Sequence, residues 1–331
     1  MDSQATRAAL FLLIAAGPLA EVLSQNVPLS TYLQPIPFLL VSVTYGVPVL
    51  LIRELAVARK LDDVGVALLG LAYGILNEGV LAKTLTQPGG APLGEFAGYG
   101  QVGALQGGWA IFIVFWHSLH SVLYPILVSR WLFPAAADRR WFASGRARWL
   151  LYVLLIVVTG LYSLYFLNPV RNEVDVFVIY VVATAGLVGI ALRFCKVRRT
   201  SPAAHPARPS PTPVLLGGCM LSYYVFQFWA PGRIPFAGYL AVSLVVIGFL
   251  MAAMLRARCR PLSDLLLFGI GDYLTFSVFS SLLYVISGRN PLQAAIAGAM
   301  FVAFFLYLLR AVRRKPFGRI APPSPSHAGV S

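Results

Sequence analysis

The sequence predicts an all-α fold, a polytopic membrane helix bundle of about ten transmembrane helices with both termini in the cytoplasm. The first observation is compositional: the 331 residues are 58% hydrophobic and only 11% charged, whereas soluble domains carry about 25% charged residues. The second is that apolar runs of about 20 residues, the length of a membrane-crossing helix, recur along the chain. The third is that the basic residues are concentrated in alternate loops, which fixes an orientation.

The predicted spans follow one another from the N-terminus to the C-terminal tail. They cover residues 6–24, 36–58, 64–84, 108–131, 147–168, 174–195, 213–230, 236–257, 263–287 and 292–312. A membrane β-barrel would instead show shorter segments of alternating polarity.

The order of these spans divides the chain into two transmembrane halves. Residues 1–195 hold the first six spans and the candidate site, and residues 213–313 hold the last four. A Pro- and Arg-rich linker at 196–212, predicted to be cytoplasmic, joins them, and 314–331 is predicted to be a disordered tail, because neither segment has enough apolar residues to form a core.

The orientation follows from the loops that carry positive charge. Of the 26 Lys and Arg residues, only Lys83, Arg171, Arg233 and Arg289 fall in loops on the side opposite the N-terminus, and Arg53 lies within a span. Cytoplasmic loops are enriched in Lys and Arg, so both termini are predicted to be cytoplasmic. The net charge of +14 is thereby explained by topology and by contact with anionic membrane lipids. We expect no nucleic-acid partner, and localisation to a cell membrane, with a bacterial inner membrane favoured.

Four ionisable residues within the spans are the candidate catalytic groups: Glu78, His117, His120 and Asp272. A charged side chain costs roughly 2.5–3.5 kcal/mol at the centre of a membrane helix, so each is a candidate for function. At a rise of about 1.5 Å per residue, all four fall in one band of depth, from the outer half to the midplane. That depth allows them to line one cavity.

Glu78, in the stretch "GLAYGILNEGVLAKTL", is the strongest of these candidates. Burial favours the protonated form of a carboxyl group, which can then act as a general acid. Asn77 beside it can fix its orientation, and Tyr73 shares a helix face with Asn77 at i, i+4. A hydrogen bond between helices is the structural alternative. Asp272, in the ninth span, is the candidate second acid.

His117 and His120 lie three residues apart in "FWHSLHSVLYPIL" and are expected to share a helix face, with Tyr124 four residues further along it. Hydrogen bonding to neighbouring helices, acid–base chemistry and metal ligation all remain open. Zinc needs a third protein ligand, for which Glu78 is available. We nevertheless expect no metal and no other cofactor. Trp116 and Tyr124, with Tyr73 and Asn77, are the predicted substrate-binding residues; ordinary membrane packing is the alternative for the aromatic ones.

Three further ionisable residues lie near the ends of spans. Glu21 is expected to reach water at the outer end of the first span. Arg53 and Glu54 are adjacent and should not face each other on a helix. We therefore expect Arg53 to extend to the cytoplasmic interface and Glu54 to find a partner on another span.

Three resemblances accompany these residues. "YGILNEGV" resembles a motif of uncharacterised multi-pass proteins of actinobacteria, in which Asn77 is more often glutamate. The stretch also resembles the glutamate motif of the CAAX-protease and bacteriocin-processing family of intramembrane metalloproteases, with His117 or His120 as the first histidine; spans five to ten contain no histidine for a second. The layout resembles membrane-bound terpene cyclases of fungal meroterpenoid and actinobacterial indole-sesquiterpenoid pathways. That resemblance implies Glu78 and Asp272 as the early and late acids.

Three functions therefore remain open. The first is a membrane enzyme in which Glu78 starts the cyclisation of an isoprenoid or acts on another lipidic substrate. The second is a proton-coupled transporter or carrier that uses Glu78 and Asp272. The third is a protein similar to the intramembrane metalloproteases. The oligomeric state is not predicted.

Overall fold

The structure is a computed structural model that describes residues 3–86, 94–142, 145–161, 174–196, 211–257 and 262–314. The described chain is almost entirely helical, which confirms the predicted all-α membrane bundle. Its helices are α1 (Ser3–Val22), α2 (Leu29–Tyr32), α3 (Pro35–Arg59), α4 (Asp63–Leu81), α5 (Gly107–Leu132), α6 (Gly145–Leu161), α7 (Val174–Phe194), α8 (Thr212–Gly218), α9 (Met220–Trp229), α10 (Phe236–Ala257), α11 (Leu262–Ile286) and α12 (Pro291–Arg314).

Every predicted span has a helical counterpart among these residues. Eight of the helices are long and apolar enough to cross a membrane by themselves: α1, α3, α4, α5, α7, α10, α11 and α12. The fifth predicted span corresponds to α6, with 17 residues, and the seventh to α8 and α9, which Cys219 separates. Most of the predicted linker, 197–210, and the predicted tail from residue 315 lie outside the described residues, and the orientation relative to the cytoplasm stays a prediction.

The outer helices expose apolar side chains of the kind that face lipid. Val178 and Ile179 on α7, and Val245 and Phe249 on α10, are exposed on the surface of the bundle. Such a surface is unfavourable in water and favourable in hydrocarbon. This agrees with the chain being a multi-pass membrane protein.

The central helices approach closely where one of them carries glycine. A Cβ atom at Gly70 of α4 would lie 2.8 Å from the Cα atom of Ser118 on α5, and one at Gly74 would lie 3.0 Å from the Cα atom of Val114. Close backbone approach at small residues is the usual packing of membrane helices. It brings the C-terminal half of α4 directly against the middle of α5.

The segment between α4 and α5 is folded where the structure describes it. Two short strands, β1 (Gln101–Val102) and β2 (Leu105–Gln106), form an antiparallel hairpin. Before them, Phe96 is buried against the rings of Trp109, Phe112 and Phe228. The segment therefore covers one end of the bundle.

The expectation for Arg53 and Glu54 was wrong. Arg53 is buried and pairs with Glu54 itself, and its other guanidinium nitrogen donates to the carbonyl oxygens of Ala136 and Ala137 at 2.7 and 2.8 Å. Glu54 also accepts the backbone N–H of Trp141 at 2.9 Å. The two long side chains can meet because both bend toward the loop that follows α5, which supplies the remaining polar partners.

Candidate functional site

Three helices change from α-helical to π-helical geometry where they carry the candidate residues. The π-helical segments are Pro18–Val22 of α1, Asn77–Leu81 of α4 and His117–Leu123 of α5. They contain Glu21, Asn77, Glu78, His117 and His120. π-Helical turns are rare and occur frequently at functional sites. Their coincidence with these residues indicates that this region of the bundle is the candidate functional site.

Glu78 and His117 form a direct pair across the contact between α4 and α5. Glu78 Oε1 lies 2.7 Å from His117 Nε2, and both side chains are buried. The Asn77 amide donates to Glu78 Oε1 at 2.9 Å and lies 3.2 Å from His117 Nε2. Asn77 therefore holds both members of the pair, in the orienting position predicted for it.

Hydrogen bonds extend from this pair in two directions. Thr84 donates its hydroxyl hydrogen to the second oxygen of Glu78, and the Trp109 indole N–H donates to Thr84 at 2.9 Å. On the other side, His117 Nδ1 lies 2.8 Å from the Ser121 hydroxyl. Both carboxyl oxygens and both ring nitrogens thus have partners, which fixes the orientation of Glu78 and His117.

Aromatic rings enclose His117 behind the carboxyl group. The Tyr45 ring stacks on His117 with centroids 5.7 Å apart, and the Tyr73 ring meets it edge-on at the same distance. The Tyr73 hydroxyl donates to the backbone oxygen of Thr44 at 3.0 Å. Tyr73, predicted to bind substrate, therefore packs against the histidine of the pair.

Glu21 has a second set of polar partners close to the pair. The Tyr45 hydroxyl and the Asn26 amide both donate to its carboxylate oxygens. Tyr45 thereby connects Glu21 to His117, on whose ring it stacks. Glu21 was expected simply to reach water; it is half-buried and belongs to the same arrangement as Glu78.

A cavity of about 840 Å³, here called the outer cavity, adjoins these residues at the predicted outer side of the bundle. Its size lies in the range of about 300–1,000 Å³ typical of ligand pockets. Polar residues line it from α1 and the segment after it, from α4 and from the loop after α11, and aromatic residues line it from α5, α9 and α11. The residues concerned include Glu21, Asn26, Asn77, Glu78, Trp109, Phe112, Trp116, Phe228, Phe276, Tyr284 and Arg289.

His120 and Asp272 form a second, separate pair. His120 Nε2 lies 3.5 Å from Asp272 Oδ2, and neither side chain is exposed. The hydroxyls of Tyr124 and Tyr224 donate to the same Asp272 oxygen at 2.8 and 3.3 Å. The Tyr273 hydroxyl donates to the backbone oxygen of His120 at 2.7 Å. This pair joins α5 of the first predicted half to α11 of the second.

The four predicted catalytic residues are thus arranged as two pairs. Only Glu78 of the four lines the outer cavity, while His120 and Asp272 are enclosed. His117 and His120 contact different partners because the π-helical turn that contains them alters the angular spacing of an α-helix. In the part of the chain that the structure describes, no group of three or more His, Cys, Asp or Glu side chains could hold a metal ion.

Several residues of the site were not predicted from the sequence. Ser121 lies four residues after His117, and this spacing is a signal for contact on a helix. Thr84, Tyr45 and Trp109 have no such signal. Thr84 lies beyond the end of α4, and Tyr45 and Trp109 lie on other helices, so their contacts depend on the fold.

The sequence matches an uncharacterized membrane protein family over residues 10–317. No curated protein and no solved structure matches the chain. The family match supports the membrane nature of the protein. It supports neither the resemblance to terpene cyclases nor the resemblance to metalloproteases.

Proposed function

The chain belongs to this uncharacterized membrane protein family, and from that premise we propose that it is a membrane enzyme in which Glu78 protonates an isoprenoid or similarly apolar lipidic substrate. The observation that carries the proposal is the 2.7 Å contact between Glu78 and His117 at the wall of the outer cavity. A contact of this length between a carboxyl oxygen and a ring nitrogen requires one proton between them. The pair therefore holds a transferable proton beside a space large enough for a substrate.

The partners of Glu78 suit both states of a general acid. When Glu78 has given its proton to the substrate, Asn77 and Thr84 donate hydrogen bonds to the resulting carboxylate. Hydrogen bonds to the charged form stabilise it inside the bundle. The carboxylate can then take a proton back from the cyclised cation, which restores the acid and releases a neutral product.

The walls of the outer cavity suit a substrate that becomes positively charged during the reaction. Trp109, Trp116, Phe228 and Phe276 present aromatic side chains to it. Aromatic faces attract cations by about 0.5–2 kcal/mol each, more strongly where water is excluded. Protonation of an alkene forms such a cation, so these walls favour acid-initiated cyclisation, with Trp116 as a substrate contact.

Asp272, which the sequence predicted as the second acid, does not act on the substrate in this proposal. Its carboxyl group is enclosed by Tyr124, Tyr224 and His120. It therefore has no contact with a substrate in the outer cavity. Glu78 is the acid that the geometry favours.

The proposal is tested by incubating the purified protein in lipid nanodiscs with linear polyprenyl alcohols and analysing the products by mass spectrometry. We expect a cyclised product from the parent protein and a loss of at least about 10²-fold in the Glu78→Gln variant, the usual contribution of a general acid. Glu95→Gln removes an exposed carboxyl group and is the matched control with full activity. Equal turnover by the Glu78→Gln variant would exclude Glu78 as the acid.

A further inference from the structure

The His120–Asp272 pair lies between two cavities at opposite ends of the same helices. The outer cavity reaches Trp116 of α5 and Phe276 of α11. A second cavity of about 270 Å³, here called the inner cavity, is lined by Tyr124 of α5 and by Asp264 and Phe268 of α11. Because Trp116 precedes Tyr124 in α5 and Phe276 follows Phe268 in α11, the two cavities lie toward opposite ends of these helices. The predicted topology places these ends toward opposite sides of the membrane.

Hydrogen bonding does not account for the burial of this pair. His120 and Asp272 are both fully buried, and among the described residues both ring nitrogens of His120 and Oδ1 of Asp272 have no hydrogen-bond partner. Leaving a buried polar group unsatisfied costs about 1–3 kcal/mol, and more for a charged group. Each unsatisfied buried group in a native protein calls for an explanation, and a functional role is one of them.

The contacts of the pair lead from one cavity to the other. The Trp116 ring, which faces the outer cavity, stacks on His120 with centroids 3.6 Å apart. On the opposite side, Tyr124 faces the inner cavity and donates its hydroxyl hydrogen to Asp272 at 2.8 Å. The Trp116 ring therefore lies between His120 and the outer cavity, and the Tyr124 side chain reaches from the inner cavity to Asp272.

We propose that His120, Asp272 and Tyr124 form a proton pathway between the outer and inner cavities. The pathway goes beyond the proposed enzyme function, since it does not include Glu78 and needs no substrate. It would let protons cross the protein down their electrochemical gradient. Among the described residues, His120, Asp272 and Tyr124 follow one another between the Trp116 ring and the inner cavity.

Each step transfers one proton and leaves the charges balanced. A proton from the outer cavity binds His120 when the Trp116 ring moves aside, which converts the neutral imidazole to imidazolium. It passes from Nε2 to the Asp272 carboxylate, across 3.5 Å, after a small side-chain displacement. The Tyr124 hydroxyl, which donates to Asp272, first rotates toward the inner cavity. Its oxygen then accepts the proton of Asp272 while its own proton leaves to the inner cavity, which restores the hydrogen bond from Tyr124 to Asp272.

The test measures proton entry into liposomes that contain the purified full-length protein and the pH dye pyranine. A potassium diffusion potential set with valinomycin drives protons inward. We expect the parent protein to acidify the lumen at least about fivefold faster than protein-free liposomes, and Asp272→Asn to return the rate to the protein-free level. A parent rate equal to that of protein-free liposomes would overturn the proposal.

Two conservative tyrosine variants separate a pathway from a structural role. Tyr124 and Tyr273 are both fully buried, and their rings lie 5.3 and 5.2 Å from the His120 ring. Of these two tyrosines, Tyr124 donates its hydroxyl hydrogen to Asp272, whereas Tyr273 donates its own to the backbone oxygen of His120. We expect Tyr124→Phe to abolish the added proton entry and Tyr273→Phe to retain most of it. Equal rates of proton entry in the two tyrosine variants would overturn the pathway. The Glu78→Gln variant keeps the two proposals distinct, because we expect it to lose cyclisation and to retain proton entry.

Discussion

At the scale of residues, two buried glutamates of this protein have opposite surroundings. Glu54 is bonded by Arg53 and by backbone N–H groups of the loop after α5, and the Arg53 guanidinium lies 3.6 Å above the Trp141 ring. Its oxygens are saturated by fixed partners, as in a structural ion pair. Glu78 is also buried, but it faces a cavity and its closest ionisable partner is a histidine. Only the second arrangement supports exchange of a proton with a bound molecule.

The ion pair gives a prediction about stability. Removing one member of a buried pair leaves the other charge uncompensated, which costs about 3–5 kcal/mol. We therefore expect Glu54→Gln to lower the thermal unfolding temperature of the detergent-solubilised protein strongly. Asp63→Asn is the control, because the Asp63–Arg130 pair is partly exposed and such pairs contribute about 0–1 kcal/mol. Equal losses in the two variants would contradict the structural role of Glu54.

The residue types of the site could be predicted, but most of their contacts could not. Glu78, His117, His120 and Asp272 stand out because ionisable groups are costly in a membrane helix. The depth estimate put all four in one band, but the structure divides them into two pairs, and only Glu78 lines the outer cavity. The pairing of His117 with Glu78 and of His120 with Asp272 depends on the rotation of α5 about its axis. The sequence pattern of an α-helix does not contain that information once the helix becomes π-helical.

At the scale of elements, the contact between α4 and α5 positions the pair. Gly70 and Gly74 let the two backbones approach. Glu78 lies four residues after Gly74 on the same face of α4, and His117 lies on the face of α5 that meets it. The helices themselves are predictable from their length and apolar composition. The crossing point is set by small residues on one helix meeting backbone on another, which a single sequence indicates only weakly.

This contact gives a prediction for Gly70→Ala. The new methyl group would lie 2.8 Å from the Cα atom of Ser118, so the helices must separate and Glu78 must move away from His117. We expect a loss of about 1–3 kcal/mol in stability, as for other overpacked cores, and a loss of product formation. Thermal unfolding and the product assay measure the two effects. Gly186→Ala on α7 meets no atom within 4 Å and should change neither; an unaffected Gly70→Ala variant would contradict the role of the contact.

At the scale of the whole molecule, the distribution of charge orients the bundle and its two cavities. The outer cavity opens beside the ends of α1, α4 and α11 that the charge pattern places outside, and the inner cavity lies at the other end of α11. This orientation is predicted from the Lys and Arg residues of the loops and not from the packing of the helices. The bundle would pack in the same way in either orientation.

Cysteine labelling in intact cells tests the orientation. In a variant without Cys195, Cys219 and Cys259, a cysteine placed at Val102, which is exposed in the hairpin, should react with a membrane-impermeant maleimide. A cysteine at Ser326, in the tail that lies outside the described residues, should react only after the cells are opened. The reverse pattern would invert the topology and exchange the sides of the two cavities.

The most direct test of the central claim, that Glu78 gives a proton to a bound isoprenoid, is the reaction in heavy water. A product formed by acid-initiated cyclisation in D₂O carries one solvent deuteron on the carbon that was first protonated, and carbon-bound deuterium does not wash out. We predict a product one mass unit heavier from the parent protein and no product above background from Glu78→Gln. A product without deuterium, or the same labelled product at the same rate from Glu78→Gln, would contradict the account.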